Sequence, residues 1–408
     1  MAVPESPRRA ASADSSLSRR DFLARAATVA GVGVIAPFSF VHRVSAGRPA
    51  LHRFVRDKMH EAHTPGLSVA VVRGDDIVWS AGAGWANKER GVDVTPDTVF
   101  MLASVAKTVT CAAIMALVED GTIDLDEDIN RYLPFDVHIP MAPRVPVTMR
   151  MLLTHTSAIR DRPNVWGTPY SKKSLYFHGD SPIALGDFER SYLVPGGARY
   201  VETENFYRRR PGQDYSYSNL AVALAGYVAE AATGTDFNAL FKRRILHPLG
   251  MEQSGFRRTD ITTPNLAMPY HIDRDTRQFL PYFQYGYPDY PDGALRASAV
   301  NLATWLGAFM HFGTFRGVRV LEHSTVEEMR RGQIPRIVPW QQGLIWYVVT
   351  AGKYVRMGHT GGDFGMSSRM FFRLDRQVGV VSLTNAYLSG RRWDAFRDIE
   401  LRLFDEFS

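Results

Sequence analysis

The chain is poor in the features that decide several common cases. It has one cysteine, Cys111, in 408 residues, so no internal disulfide is available. Its place in the apolar run Val109–Leu117 reads as that of a small buried hydrophobe. No stretch beyond the first 46 residues approaches the roughly 18 uninterrupted apolar residues that a membrane-spanning helix needs. There is no fixed-period repeat, which excludes solenoids and propellers. No Gly-x-Ser-x-Gly occurs, which argues against an α/β-hydrolase elbow. His60-Glu61-Ala62-His63 spaces its histidines three apart rather than the four of a zinc-binding helix. Asp124-x-Asp126-x-Asp128 has Ile129 where a calcium loop needs its turn glycine. Neither stretch is therefore read as a metal site.

A formal charge of +6 and a pI near 9.3 raise the question of nucleic acid. Half of that charge comes from the first 46 residues, which hold six arginines and three acidic groups. The rest has no Lys/Arg-dense run, so nucleic acid is not an expected partner. The leader itself is informative. Ser18-Arg19-Arg20-Asp21-Phe22-Leu23 precedes an Ala/Gly/Val-rich stretch to about Phe40 and then Val44-Ser45-Ala46. An arginine pair, a modest apolar segment and a small-residue end read as a twin-arginine signal peptide over 1–46. The expected location is periplasmic or extracellular in a bacterium, with no stable membrane span once the signal is removed.

The remaining chain, 47–408, reads as one large domain. An amphipathic helix begins at Leu51 and ends by Thr64-Pro65-Gly66. Leu67–Val72 and Ile77–Ser80 form a hairpin around Gly74-Asp75-Asp76. From about 122 to 335 the pattern is helical with long loops, including helices at 147–154, 219–233, 236–247 and 299–312. Strands return at 343–349, 369–374 and 378–383, and a last helix covers about 392–404. Strands at both ends around a helical insert give an α+β class: an antiparallel sheet built from both termini plus an all-helical part.

Met101-Leu102-Ala103-Ser104-Val105-Ala106-Lys107-Thr108 opens the buried helix that carries Cys111. Ser104 and Lys107 are three apart and share a helix face. A serine hydroxyl attacks carbonyls once a neighbour takes its proton. Lysine can do so if burial or nearby cations lower its pKa. Only one of the seven lysines has a serine three residues before it. The pair alone is weak evidence, and two downstream stretches strengthen it. In Pro211–Asn219, Tyr217 and Asn219 end a loop ahead of a helix. A phenol there can relay protons, and the amide can bind both a substrate carbonyl and the lysine. Turn chemistry with Asn219 as helix cap is the alternative. In Gly358-His359-Thr360-Gly361-Gly362, glycines let a substrate backbone approach a strand edge. The Gly362 N–H is a candidate second oxyanion donor beside that of Ser104. Aromatic-rich stretches at 161–207 and 279–291 read as loop packing rather than as an acyl pocket, and His155 as local packing.

Ser104-x-x-Lys107, Tyr217-x-Asn219 and His359-Thr360-Gly361, in that order, resemble the serine β-lactamase and penicillin-binding-protein superfamily. The tyrosine version is similar to its class C β-lactamase and D-alanyl-D-alanine carboxypeptidase branch. Pro65–Val72, Leu152–Ser157 and Gly293–Ser298 also look like landmarks of that family, and the likeness runs over about 50–405. The resemblance implies a β-lactamase/transpeptidase-like fold and an acyl-enzyme on Ser104, with no metal or organic cofactor. Lys107 and Tyr217 would share acid and base duty. Asn219 would orient substrate, while His359 and Thr360 line the opposite wall. The family's class C members carry Lys-Thr-Gly where this chain has His359-Thr360-Gly361. A mainly neutral imidazole holds a β-lactam carboxylate less well, so the expected substrate is a small ester, amide or peptide. The alternatives are a D,D-carboxypeptidase, a class C-like β-lactamase, or a non-catalytic penicillin-binding-like module.

Overall fold

The computed structural model describes residues 47–162 and 165–408. The proposed signal peptide lies outside the described residues. The centre is a seven-stranded antiparallel sheet fed from both ends of the domain. Its N-terminal strands are β1 (Gly66–Arg73), β2 (Asp76–Asn87) and β3 (Val92–Asp93). Its C-terminal strands are β4 (Tyr347–Ala351), β5 (Tyr354–Asp363), β6 (Met366–Arg373) and β7 (Val378–Thr384). The order across the sheet is β4-β5-β6-β7-β1-β2-β3. β1 pairs with β7 from Leu67↔Thr384 to Arg73↔Val378, so the two termini are joined at mid-sheet.

Both faces of this sheet are buried, and the alternation of β1 shows how. Leu67, Val69 and Val71 join Leu51, Val55 and Met59 of α1 (Pro49–Glu61) and Phe396, Ile399 and Leu403 of the C-terminal helix. Ala70 and Val72 point to the other side, into the main core. Period-2 side chains buried on both faces explain why the strand reads as an unbroken apolar run.

Two helices deliver the site. α2 (Ala106–Glu119) buries every residue from Ala106 to Leu117, as its lack of a polar face requires. It ends where Gly121 takes φ 70°. α3 (Asn219–Thr233) is capped by Ser218, whose side chain accepts from the Ala221 N–H, and stops at left-handed Gly234. α4 (Ala299–Met310) packs under β1 and β7, and α5 (Arg391–Phe407) covers the opposite face beside α1.

Two expectations change in detail. The strand read at 343–349 begins only at Tyr347. Ile345 has φ 67°, the Gln342 side chain donates to the Gly343 carbonyl at 3.1 Å, and Trp346 stacks on Phe309 at 3.7 Å. The apolar signal there reports core packing, not a ladder. The helix read at 236–247 is an α-turn, Phe237–Phe241, followed by a π-turn over Lys242–Leu246. Asp126 of the discarded calcium-like loop pairs with Arg150 at 2.7 Å.

Candidate active site

The nucleophile candidate sits at a junction rather than inside a helix. Val99–Met101 pairs with Arg296–Ser298, and the Leu102 N–H donates to the Leu295 carbonyl at 2.8 Å. The chain then turns through a 3₁₀ turn, Ala103–Val105, directly into α2. Ala103 has φ 48°, a left-handed value costly for a residue with a Cβ and often found where a side chain must be aimed. Ser104 is thus presented at the N-terminus of α2, where the helix dipole favours negative charge. The Gly293–Ser298 landmark is the brace for this turn. Its Arg296 is fully buried and donates to the Phe256 carbonyl at 3.0 Å.

Lys107 is wholly buried and its ammonium is fully engaged. It donates to Ser104 Oγ at 3.0 Å, Asn219 Oδ1 at 2.6 Å, the Asp292 carbonyl at 2.7 Å and Asp292 Oδ2 at 3.2 Å. The Tyr217 ring centroid lies 5.3 Å from the same Nζ. The structure therefore brings Ser104, Lys107, Tyr217 and Asn219 together. It also corrects the electrostatic expectation. Burial pushes the Lys107 pKa down, but the Asp292 carboxylate and the Tyr217 phenol more than offset it, so the pKa is raised. The lysine is a held cation, not a neutral base.

Residues not assigned from sequence complete the frame. Asp161 gathers the start of α3, accepting from Ser218 Oγ at 2.8 Å, Asn219 N at 2.8 Å and Leu220 N at 3.1 Å. His155, read as local packing, does pack, but its partner is Tyr217, with ring centroids 4.3 Å apart. Its Nδ1 accepts from the Ser218 N–H at 3.2 Å. Asp292, which directly precedes the Gly293–Ser298 landmark, has no counterpart in any expectation. The signals were present, in a histidine inside Leu152–Ser157 and a carboxylate beside a landmark, but neither pattern names a partner.

On the opposite wall, β4 pairs with β5 only as far as Gly358, so 359–363 have no partner strand on that side among the described residues. A Cβ on Gly361 would lie 2.9 Å from Ser104 N and 2.4 Å from the Leu102 carbonyl. Glycine is what lets β5 press against the nucleophile turn. Gly362 borders the cavity that holds Ser104, and Thr360 Oγ1 meets the Tyr347 hydroxyl at 3.1 Å.

His359 is 3% exposed. Its Nδ1–H donates to the Thr360 carbonyl at 2.6 Å. Burial, helped by the Lys107 charge, pulls its pKa from the ordinary 6.5 down to about 3. The imidazole is neutral at physiological pH. As pH falls below 6.5, the unfolded chain takes up a proton that the folded chain refuses, so stability falls with acidification until pH passes the folded value. Over pH 6.5 to 4 this amounts to about 3 kcal/mol. Urea unfolding across that range is expected to show the stability of wild type relative to His359→Gln falling by that amount as pH drops, since buried Asp363 contributes in the opposite sense to both proteins.

The aromatic stretches also contribute more than packing. Trp166, Tyr176 and Tyr287 line the cavity at Ser104, and Tyr176 meets Tyr285, Tyr287 and Phe364 edge-on.

No helix among the described residues is long and apolar enough to cross a membrane. Comparison with known proteins agrees with the architecture. The sequence matches the beta-lactamase family over residues 51–401. It is 31% identical over 219 residues to esterase EstB of Burkholderia gladioli, covering 52% of this chain and 52% of that protein. It is 30% identical over 192 residues to a D-aminopeptidase of Gluconobacter oxydans, covering 47% of this chain and 32% of that protein. The chain thus spans about half or less of the length of these curated relatives. The D-amino acid amidase of Ochrobactrum anthropi SV3 superposes with a TM-score of 0.67 at 21% identity, over 87% of this chain and 98% of that one. With the family match running across nearly all of the described domain, the chain belongs to the beta-lactamase family.

Proposed function

We propose that this protein is an exported serine hydrolase that cleaves a small ester or amide through an acyl-enzyme on Ser104. The observation that carries the reading is the wholly buried Lys107 ammonium, which touches Ser104 Oγ at 3.0 Å and Asn219 Oδ1 at 2.6 Å. A binding module gains nothing from burying a cation against a serine hydroxyl.

With Lys107 held as a cation, its role is to stabilise the Ser104 alkoxide and to orient the Tyr217 hydroxyl, which relays the serine proton by passing its own proton to the leaving group as it takes up the serine's. The Ser104 and Gly362 N–H groups would hold the oxyanion. Asn219 orients the substrate carbonyl. Water releases the acyl group in the second half of the reaction. The neutral, buried His359 offers no charge to a substrate carboxylate, which favours esters and amides over β-lactams and C-terminal D-amino acids. Domain 47–408 carries this chemistry, and residues 1–46 are its twin-arginine signal.

The test is a fluorophosphonate probe together with a short-chain p-nitrophenyl ester and a chromogenic cephalosporin. Labelling at Ser104 and ester turnover, both lost in Ser104→Ala, with little cephalosporin turnover, is the expected result. Rapid serine-dependent cephalosporin hydrolysis would replace the reading by a β-lactamase. Equal behaviour of wild type and Ser104→Ala would remove the enzyme reading.

A further inference from the structure

We propose that the cavity beside Ser104 is a cation subsite, which selects substrates carrying an ammonium group and holds that group among Asp292, Asp363 and Asp289. The inference rests on the serine-hydrolase reading and names its substrate class. The cavity has a volume of ≈ 180 Å³, and its wall includes Ser104, Trp166, Tyr176 and the three carboxylates, with no lysine or arginine.

The partners of each carboxylate show which has capacity left. Asp289 receives the Trp166 indole N–H on both oxygens, at 2.9 and 2.8 Å. Asp363 Oδ1 accepts from the Phe364 N–H at 2.7 Å and the Tyr176 hydroxyl at 3.3 Å. Asp292 gives Oδ2 to Lys107 at 3.2 Å, while its Oδ1 has no hydrogen-bond partner in a residue only 7% exposed. A buried acceptor without a donor is costly unless something arrives to fill it. Among the described residues, the cation that contacts these carboxylates from behind the wall is Lys107, already spent on Ser104, Asn219 and Asp292. Asp161 is engaged at the start of α3.

The electrostatics point the same way. Burial holds Asp289 and Asp292 above the ordinary carboxylate range, with repulsion from Asp292 added at Asp289 and the pull of Lys107 only partly offsetting burial at Asp292, and burial lifts Asp363 up to about 7. An entering ammonium reverses that penalty, whereas an entering anion adds to it. Trp166 and Tyr176 add ring faces and edges for the carbon next to a cationic nitrogen.

The test has two arms, both at pH 8, where Asp363 is ionised. First, calorimetry compares phenethylammonium with 2-phenylethanol on the Ser104→Ala protein, whose fold is intact but whose chemistry is removed. The amine is expected to bind about tenfold or more tightly than the alcohol, as for a charge-assisted hydrogen bond. That advantage should shrink in Asp363→Asn and in Asp289→Asn, two independent changes in the wall. Second, kcat/KM is measured for methyl ε-aminocaproate, methyl heptanoate and monomethyl pimelate, esters of one length with cationic, neutral and anionic ends. The expected order is cationic, then neutral, then anionic. Equal binding of amine and alcohol overturns the subsite whatever the esters do, and a preference for the pimelate ester overturns it equally. If none of the esters is turned over in a Ser104-dependent way, it is the hydrolase reading that fails, and the binding arm still decides the subsite.

Discussion

Lys107→Met is expected to lower Ser104-dependent ester turnover by about 10²–10³-fold, the range of a removed charge-stabilising donor. It should also destabilise the fold by about 3–5 kcal/mol. The two losses have different origins. Turnover falls because the developing charge on Ser104 Oγ loses the ammonium that Lys107 holds 3.0 Å away. Stability falls because Asp292 is left as a buried carboxylate, its Oδ2 having lost the ammonium that compensates it. Lys107→Met combined with Asp292→Asn separates them. Neutralising the orphaned acid should recover most of the stability in urea denaturation while turnover stays low. Recovery of turnover in the double variant would show that Lys107 matters for folding and not for chemistry. Full stability in the single variant would show that Asp292 is protonated and the pair is not ionic.

The second large effect is far from Ser104. Glu400 of α5 is fully buried between two arginines of the sheet, meeting Arg369 Nε at 2.9 Å and pairing with Arg356. Glu400→Ala is expected to cost about 3–5 kcal/mol, because it strands two guanidinium groups in a dry interface. Burial already holds Arg369 down to about 9 and Arg356 to about 10. A triple change, Arg356→Met with Arg369→Met and Glu400→Leu, should restore stability near the wild-type value, since apolar groups of like volume often replace a buried ionic triad without loss. Thermal and urea unfolding check both. Arg369 pairs across the ladder with Thr360, so the single variant should also loosen β5 where Gly361 meets the Ser104 turn. A kcat reduction that the triple variant reverses is the expected sign of that link. If Glu400→Ala unfolds as easily as wild type, the triad does not brace β5.

What could be read from the chain follows how local each signal is. The hairpin of β1 and β2, the all-apolar α2 and the span of α3 are written in periods of two and 3.6 residues, so they were legible, whereas the cap of α3 offered by the sequence was Asn219 and the residue that caps it is Ser218. Misreadings occurred where apolarity had another cause. Residues 343–346 are hydrophobic because Trp346 fills the core against Phe309, and a packed loop carries the same composition as a buried strand.

The candidate site divides along the same line. Ser104 and Lys107 meet because three residues of helix-like backbone put them there, and the residue types alone limit the chemistry to a hydroxyl beside an amine. Tyr217, Asn219 and the glycines of β5 were recognisable as motifs. The protonation of Lys107 was not, because it depends on Asp292, 185 residues away in the chain, and a carboxylate in sequence looks the same whether it will face water or a buried ammonium. The stacking of His155 under Tyr217, the bracing of α3 by Asp161 and the acidic wall at Ser104 have the same origin. The sequence by itself determined which reactive groups exist and which neighbours lie within a turn of each other. The tertiary structure decided their charge states, because burial and long-range approach set the local dielectric, and that is a property of the folded whole.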